Sequence, residues 1–143
     1  MTPKSILLIE DNPSDVDLSR RALEKGHVAN QLVVIEDGQE ALDYLTAAET
    51  PALPALTLLD LKLPLVPGLE VLRRIRADAR LRRLPVVILT SSNEEHDVIT
   101  SCDLGLNSYI RKPVDFIQFA RAVAHLGLYW LVSNEAPFRA ATA

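Results

Sequence analysis

The sequence predicts an α/β fold, a five-stranded parallel sheet with helices on both faces. Three observations carry this. Short apolar runs alternate five times with stretches of helical period, the pattern of repeated βαβ units. The runs at 6–9, 55–59 and 85–89 are apolar but for Thr57 and do not alternate, as suits strands buried on both faces. Each run then stops at polar or charged residues: Glu10-Asp11-Asn12, Asp60, and Thr90-Ser91-Ser92. A charge cannot continue into a buried strand without a large desolvation cost. These residues therefore mark carboxyl ends of strands, where a parallel sheet opens its ligand crevice.

The elements follow in order. Residues 5–9 form the first strand. Asn12-Pro13-Ser14 opens a helix, with proline and a capping side chain where a helix start accepts them. Leu18, Ala22 and Leu23 face inward, and Gly26 ends the helix. Residues 31–35 form the second strand. Asp37-Gly38 makes a turn into a helix with Ala41, Leu42 and Leu45 inward. The stretch 47–55, rich in alanine and broken by Pro51 and Pro54, is a connection to the third strand. Beyond Asp60, Pro64 and Pro67-Gly68 shape a loop, and a helix runs from Leu69 to about Ala79. The fourth strand is 85–89. Asn93-Glu94-Glu95 starts a helix that Gly105 stops, with acids suited to the positive end of the helix dipole. The fifth strand, 107–110, leads through Arg111-Lys112-Pro113 into a last helix from about Asp115.

With 143 residues, 48% of them apolar, the chain suits one domain spanning 1–143, with an extended last helix and tail from about 115. A net charge of −4 argues against general nucleic-acid binding, which needs a basic face. Arg73, Arg74, Arg76, Arg80, Arg82 and Arg83 read as a solvated helix face, since no second recognition element accompanies them. The single cysteine, Cys102, excludes an internal disulfide and reads as a packing residue. The first apolar run is too short for a signal peptide or a membrane span, so a cytoplasmic protein is expected. There is no P-loop or G-x-G-x-x-G fingerprint.

If the strands lie parallel and adjacent, Glu10, Asp11, Asp60, Thr90 and Lys112 surround one pocket. Three acids, a hydroxyl and an ammonium suit a divalent cation beside a phosphoryl group. Asp60 is then a metal ligand, a nucleophile, or both. Taken singly each residue has an ordinary reading. Glu10-Asp11 could be a solvated turn, Thr90 a helix cap, Tyr109 a core aromatic and Lys112 a surface lysine.

The ordered set resembles the receiver domain of two-component response regulators. The resemblance rests on Glu10-Asp11, Asp60, Gly68, Thr90 and Lys112-Pro113. Thr90 follows Asp60 by 30 positions and Lys112 follows Thr90 by 22. It covers residues 4 to about 128 and implies the doubly wound (βα)5 flavodoxin-like receiver fold. It also implies that Asp60 is the phosphoacceptor for a histidine kinase. Mg²⁺ or Mn²⁺ would be held by Glu10, Asp11, Asp60 and the Lys62 backbone carbonyl. Thr90 and Lys112 would bind the phosphoryl group, Lys112-Pro113 would be a cis peptide, and Thr90 and Tyr109 would form a switch pair. A phosphoryl group adds charge and acceptor oxygens. That change would alter the surface made by the helix after Asn93, the fifth strand and the last helix. Lys62 departs from the small polar or acidic residues common there and is expected to touch the phosphoryl group and slow its hydrolysis. Pro67 departs too, with no effect assigned.

The last helix has two apolar stripes. One contains Phe116, Phe119, Val123, Leu126 and Trp130. The other contains Ile117, Ala120, Ala124, Leu128 and Leu131. The helix is expected to continue through Val132, with Phe116, Phe119, Val123, Leu126, Tyr129 and Trp130 forming a homodimer interface. This aromatic end, with the motifs around Glu10 and Asp60, resembles stand-alone regulators paired with bacterial phytochrome histidine kinases. The reading is a stand-alone response regulator downstream of such a light sensor, which binds neither nucleic acid nor membrane. A phosphate shuttle or sink is the alternative. A haloacid-dehalogenase-type phosphohydrolase is disfavoured, because Lys62 stands where its second carboxylate would be.

Overall fold

The structure is a computed structural model that describes residues 4–49, 52–91, 107–128 and 131–132. Its elements are β1 (Ile6–Ile9), α1 (Pro13–Lys25), β2 (Leu32–Ile35), α2 (Gly38–Ala47), β3 (Leu56–Asp60), α3 (Gly68–Ala77), β4 (Val86–Thr90), β5 (Asn107–Arg111) and α4 (Phe116–His125). The strands form one parallel sheet in the order β2-β1-β3-β4-β5. This is the flavodoxin-like receiver architecture expected from the sequence. The helix expected between Asn93 and Gly105, with Ser92 and Cys102, lies outside the described residues. No helix among the described residues is long and apolar enough to cross a membrane.

Side chains of a strand point alternately to opposite faces, and the sheet uses both. Leu7, Ile9, Leu59 and Ile88 pack with Leu42, Leu45, Leu72 and Ile75 of α2 and α3. Ile6, Leu8, Leu58, Val87, Leu89 and Ile110 pack with Leu23 of α1 and Phe119 and Val123 of α4. Two-sided burial explains why the runs of β1, β3 and β4 ahead of their polar ends are apolar but for Thr57, without alternation. The order of strands reverses beside β1: the chain steps from β1 to β2 on one side and crosses to β3 on the other. The crevice of such a sheet opens at that point, between the ends of β1 and β3.

Local chemistry sets the ends of the helices that flank the crevice. Asn12 Oδ1 accepts from the N–H groups of Ser14 at 2.9 Å and Asp15 at 3.2 Å, which caps α1. Gly68 starts α3 against the end of β3; a Cβ there would collide with the backbone of Asp60 and Leu61, so only glycine permits this approach.

Two expectations about the last helix are corrected. It does not run to Val132. It ends at His125, and Gly127 takes a φ of +77°. The Leu128 N–H then donates to the Val123 carbonyl at 2.7 Å, and the Gly127 N–H to that of Ala124 at 3.0 Å. These paired bonds and the left-handed glycine are the Schellman stop. Beyond it Leu131 is buried against the α1–α4 side of the sheet. Second, Phe119 and Val123 are fully buried in the chain's own core, and Phe116 and Leu126 pack partly against it. This stripe covers the sheet, so Phe119 and Val123 are not available to a second copy. Ile117, 65% exposed, belongs to the outward stripe. Tyr129 and Trp130 lie outside the described residues.

The arginine-rich segment is exposed as expected, save the half-buried Arg76, but two of its members are tied to the main chain. Arg76 donates to the carbonyls of Arg82 at 2.9 Å and Leu84 at 2.7 Å, and partial burial lowers its pKa. Arg80 donates to the carbonyls of Leu45 and Thr46, both at 2.9 Å, and to that of Ala48, closing the carboxyl end of α2. Arg73 and Arg74 pair with Glu70 on the surface.

Candidate phosphoryl and metal site

Strands β1, β3 and β4 place a functional side chain one step past the apolar run. Asp60 and Thr90 are the last residues of β3 and β4, Glu10 follows β1 directly, and Lys112 follows β5. The main chain keeps its sheet pairing while the side chain turns into the crevice. Glu10 is fully buried, Asp60 is 3% exposed and Thr90 is 2% exposed, whereas Asp11 faces solvent. Carboxylate oxygens of Glu10, Asp11 and Asp60 lie within 4.8 Å of one another. Such a set of hard oxygen donors suits Mg²⁺ or Mn²⁺.

Lys112 enters from the opposite side. Its Nζ lies 3.1 Å from Asp60 Oδ2, 3.0 Å from Glu10 Oε1 and 3.1 Å from Asp15 Oδ2. The Glu10 Oε1 contact is one of charge, since this oxygen accepts no well-directed hydrogen bond. Glu10 Oε2 accepts from the Asn12 N–H at 3.3 Å, and Asp60 Oδ1 from the Lys62 N–H at 3.0 Å. The loop carrying Lys112 is braced from two directions. Its N–H donates to the Thr90 carbonyl at 2.7 Å. The Gln118 amide, on α4, donates to the carbonyls of Arg111 at 3.1 Å and Pro113 at 3.2 Å and accepts from the Arg111 N–H at 3.2 Å. The Lys112–Pro113 peptide is cis, as the resemblance implied.

Burial and the neighbouring Asp60 carboxyl push the Glu10 pKa up to about 8, against the pull of Lys112. Burial pulls the Lys112 ammonium down, but Glu10 and Asp60 more than offset this and its pKa is raised. A divalent cation would ease the ionisation of Glu10 and relieve the repulsion between the acids. The donor set and this unrelieved charge both fit a metal.

Residues 6–124 match the family model of the response regulator receiver domain. The chain belongs to that family. Receiver domains are signalling proteins, and the relatives of this chain include phytochrome response regulators. The solved bacteriophytochrome response regulator AtBRR is 48% identical, with a TM-score of 0.82; the match covers 94% of this chain and 100% of AtBRR. The Mn²⁺-bound form of response regulator Rcp1 is 36% identical, with a TM-score of 0.72, over 94% of this chain and 99% of Rcp1. A probable methanogenesis regulatory protein, FilR2 of Methanothrix harundinacea, is 41% identical over 94% of this chain and 88% of its own length.

The structure thus brings Glu10, Asp11, Asp60 and Lys112 together, with Thr90 buried at the end of the adjacent strand. Tyr109 on β5 is 55% exposed, with its ring outward. Two residues of the site were not read from the sequence. Asp15 has a usable signal, an acid in the first turn of the helix after the acidic pair. Gln118 has none, because a helical glutamine three residues past a cap looks like any other.

Proposed function

We propose that the protein is a stand-alone response regulator that accepts a phosphoryl group on Asp60 from a phosphohistidine of a sensor kinase. A carboxylate oxygen of Asp60 attacks phosphorus, the phosphorus–nitrogen bond breaks, and the imidazole leaves and takes up a proton. Glu10, Asp11, Asp60 and the Lys62 carbonyl would hold Mg²⁺ or Mn²⁺, which when bound offsets negative charge on the phosphoryl oxygens. Lys112 supplies a fixed positive charge on the other side. Thr90 turns its hydroxyl to a phosphoryl oxygen, and Tyr109 moves from its outward position into the space left. The observation that carries this reading is the Lys112 ammonium 3.1 Å from Asp60 within a pocket of converging acids.

The kinase partner would dock beside the pocket. A groove of about 700 Å³ between α1 and α4 is lined by Leu18, Ala22, Val114, Phe116 and Ile117, with Lys25 and Arg121 among its charged residues. The phytochrome relatives favour a red-light sensor kinase as that partner, and a cytoplasmic location follows from such a pairing. The single domain would signal as a homodimer through the outward stripe of α4 that includes Ile117, rather than through DNA. A shuttle or sink without its own effector is the second reading; onward transfer to a histidine phosphotransfer protein would mark it.

The test is intact mass after incubation with Mg²⁺ and acetyl phosphate. A gain of one phosphoryl group is expected in the parent and none in Asp60→Asn. A gain in both, or in neither folded protein, would overturn the assignment. Ile117→Glu should slow transfer from the kinase while leaving acetyl phosphate reactivity unchanged.

A further inference from the structure

The pocket holds a fourth carboxylate that the reaction above does not use. Asp15 stands in the first turn of α1, and its Oδ2 accepts a well-formed hydrogen bond from Lys112 Nζ at 3.1 Å. Glu10 and Asp60 lie as near to the ammonium, but the three acids differ in what else claims them. Glu10 and Asp60 belong with Asp11 to the group that can hold a cation; Asp15 is outside it. A cation drawn to Glu10 and Asp60 competes with the ammonium for the same oxygens, and like charges repel. Lys112 then keeps Asp15 as its carboxylate partner. The lysine side chain is 20% exposed, on a flexible four-carbon stem with a strongly hydrated head. Without a tether it can swing to water when the metal arrives. Asp15 is a rigid tether, because its own N–H is fixed by Asn12 in the capped turn of a 13-residue helix.

We propose that Asp15 is a positioning residue: it holds the Lys112 ammonium at the mouth of the pocket when a divalent cation occupies Glu10 and Asp60. The phosphoryl group then meets a lysine already in place, an orientation effect that shows in the rate of transfer. This inference rests on Asp60 as the phosphoacceptor, and the experiment separates the two. Phosphorylation rates by acetyl phosphate at saturating Mg²⁺ are compared in the parent, Asp15→Asn, Lys112→Met and the double variant. Melting in EDTA shows that each is folded, and calorimetry gives the Mg²⁺ affinity of the parent and Asp15→Asn.

Asp15→Asn should slow phosphorylation about fivefold and change nothing further once Lys112 is already Met, the signature of a residue acting through another. Its Mg²⁺ affinity should stay within about threefold of the parent, since losing a ligand costs more than losing a neighbouring charge. An unchanged rate in Asp15→Asn, or equal slowing in both backgrounds, would overturn the tether. A larger loss of Mg²⁺ affinity would make Asp15 a metal ligand and overturn it too. A parent that gains no phosphoryl group, or an Asp60→Asn that still does, would sink the phosphoacceptor reading and the tether with it.

Discussion

Two cations of this molecule, an exposed arginine and a partly buried lysine, are held in opposite ways. Arg80 donates to the carbonyls of Leu45, Thr46 and Ala48, and its planar fork fits the groups at the end of a helix. Lys112 sits among the carboxyl groups of Glu10, Asp15 and Asp60. Carbonyls at a helix end stay where the helix puts them, so Arg80 is a fixture of the fold. Carboxylates that also suit a metal can change partners, so Lys112 is held strongly and yet exchangeably. A structural cation and a reactive one are thus told apart by their partners.

The contrast is broken most sharply at Lys112. Lys112→Met should slow phosphorylation of Asp60 by at least tenfold, roughly the weight of one pre-organised charge at a reacting group. The fold should survive, because Glu10 can keep its proton once the ammonium is gone. Phosphorylation time courses read the first effect and thermal melting the second; an unfolded variant would place Lys112 with Arg80 as a fixture.

The next effect is one of pH. Glu10 keeps its proton up to about 8 in the folded, metal-free protein, against 4.5 for the ordinary side chain. The folded state binds that proton more tightly, so the stability it adds is complete below 4.5 and is lost as the pH rises through 8. The loss should be on the order of a few kcal/mol. Melting in EDTA should therefore fall between pH 5 and 8, and saturating Mg²⁺ should flatten the fall. A flat profile in EDTA would mean that Glu10 is ionised beside Lys112.

Smaller changes sharpen the picture. Lys62→Asn should shorten the aspartyl-phosphate lifetime by about threefold if the Lys62 ammonium shields the phosphoryl group, as one exposed charge allows. A lifetime indistinguishable from the parent's would remove Lys62 from the site. Arg80→Met should cost about 1 kcal/mol of stability, because the freed carbonyls can be rehydrated at the surface. It should leave the phosphorylation rate unchanged, and a slowed rate would tie the two cations together after all.

Much of this was legible because local chemistry and tertiary need coincide. An apolar run that ends in a carboxylate can hardly be anything but a buried strand at a crevice, so Asp60 and Glu10 could be placed with no structure. The last helix shows where that logic stops. Both of its stripes are apolar, and periodicity cannot say which faces the sheet; packing chose Phe119 and Val123 and left Ile117 outside. Its end at Gly127 was written in the sequence, but the apolar residues beyond it imitate a continuing helix. That Arg76 and Arg80 bind main-chain carbonyls is something no side-chain pattern reveals.

The sequence by itself determined the sheet, the direction in which its strands open and the identity of the acids at their ends. These follow from burial and desolvation, which act on each residue where it stands. Only the tertiary structure decided that Asp15 meets Lys112 across 97 positions, that Gln118 braces the lysine's loop, and that burial raises the pKa of Glu10. Those outcomes depend on distances between elements, and such distances are fixed only when the whole sheet and its helices have packed.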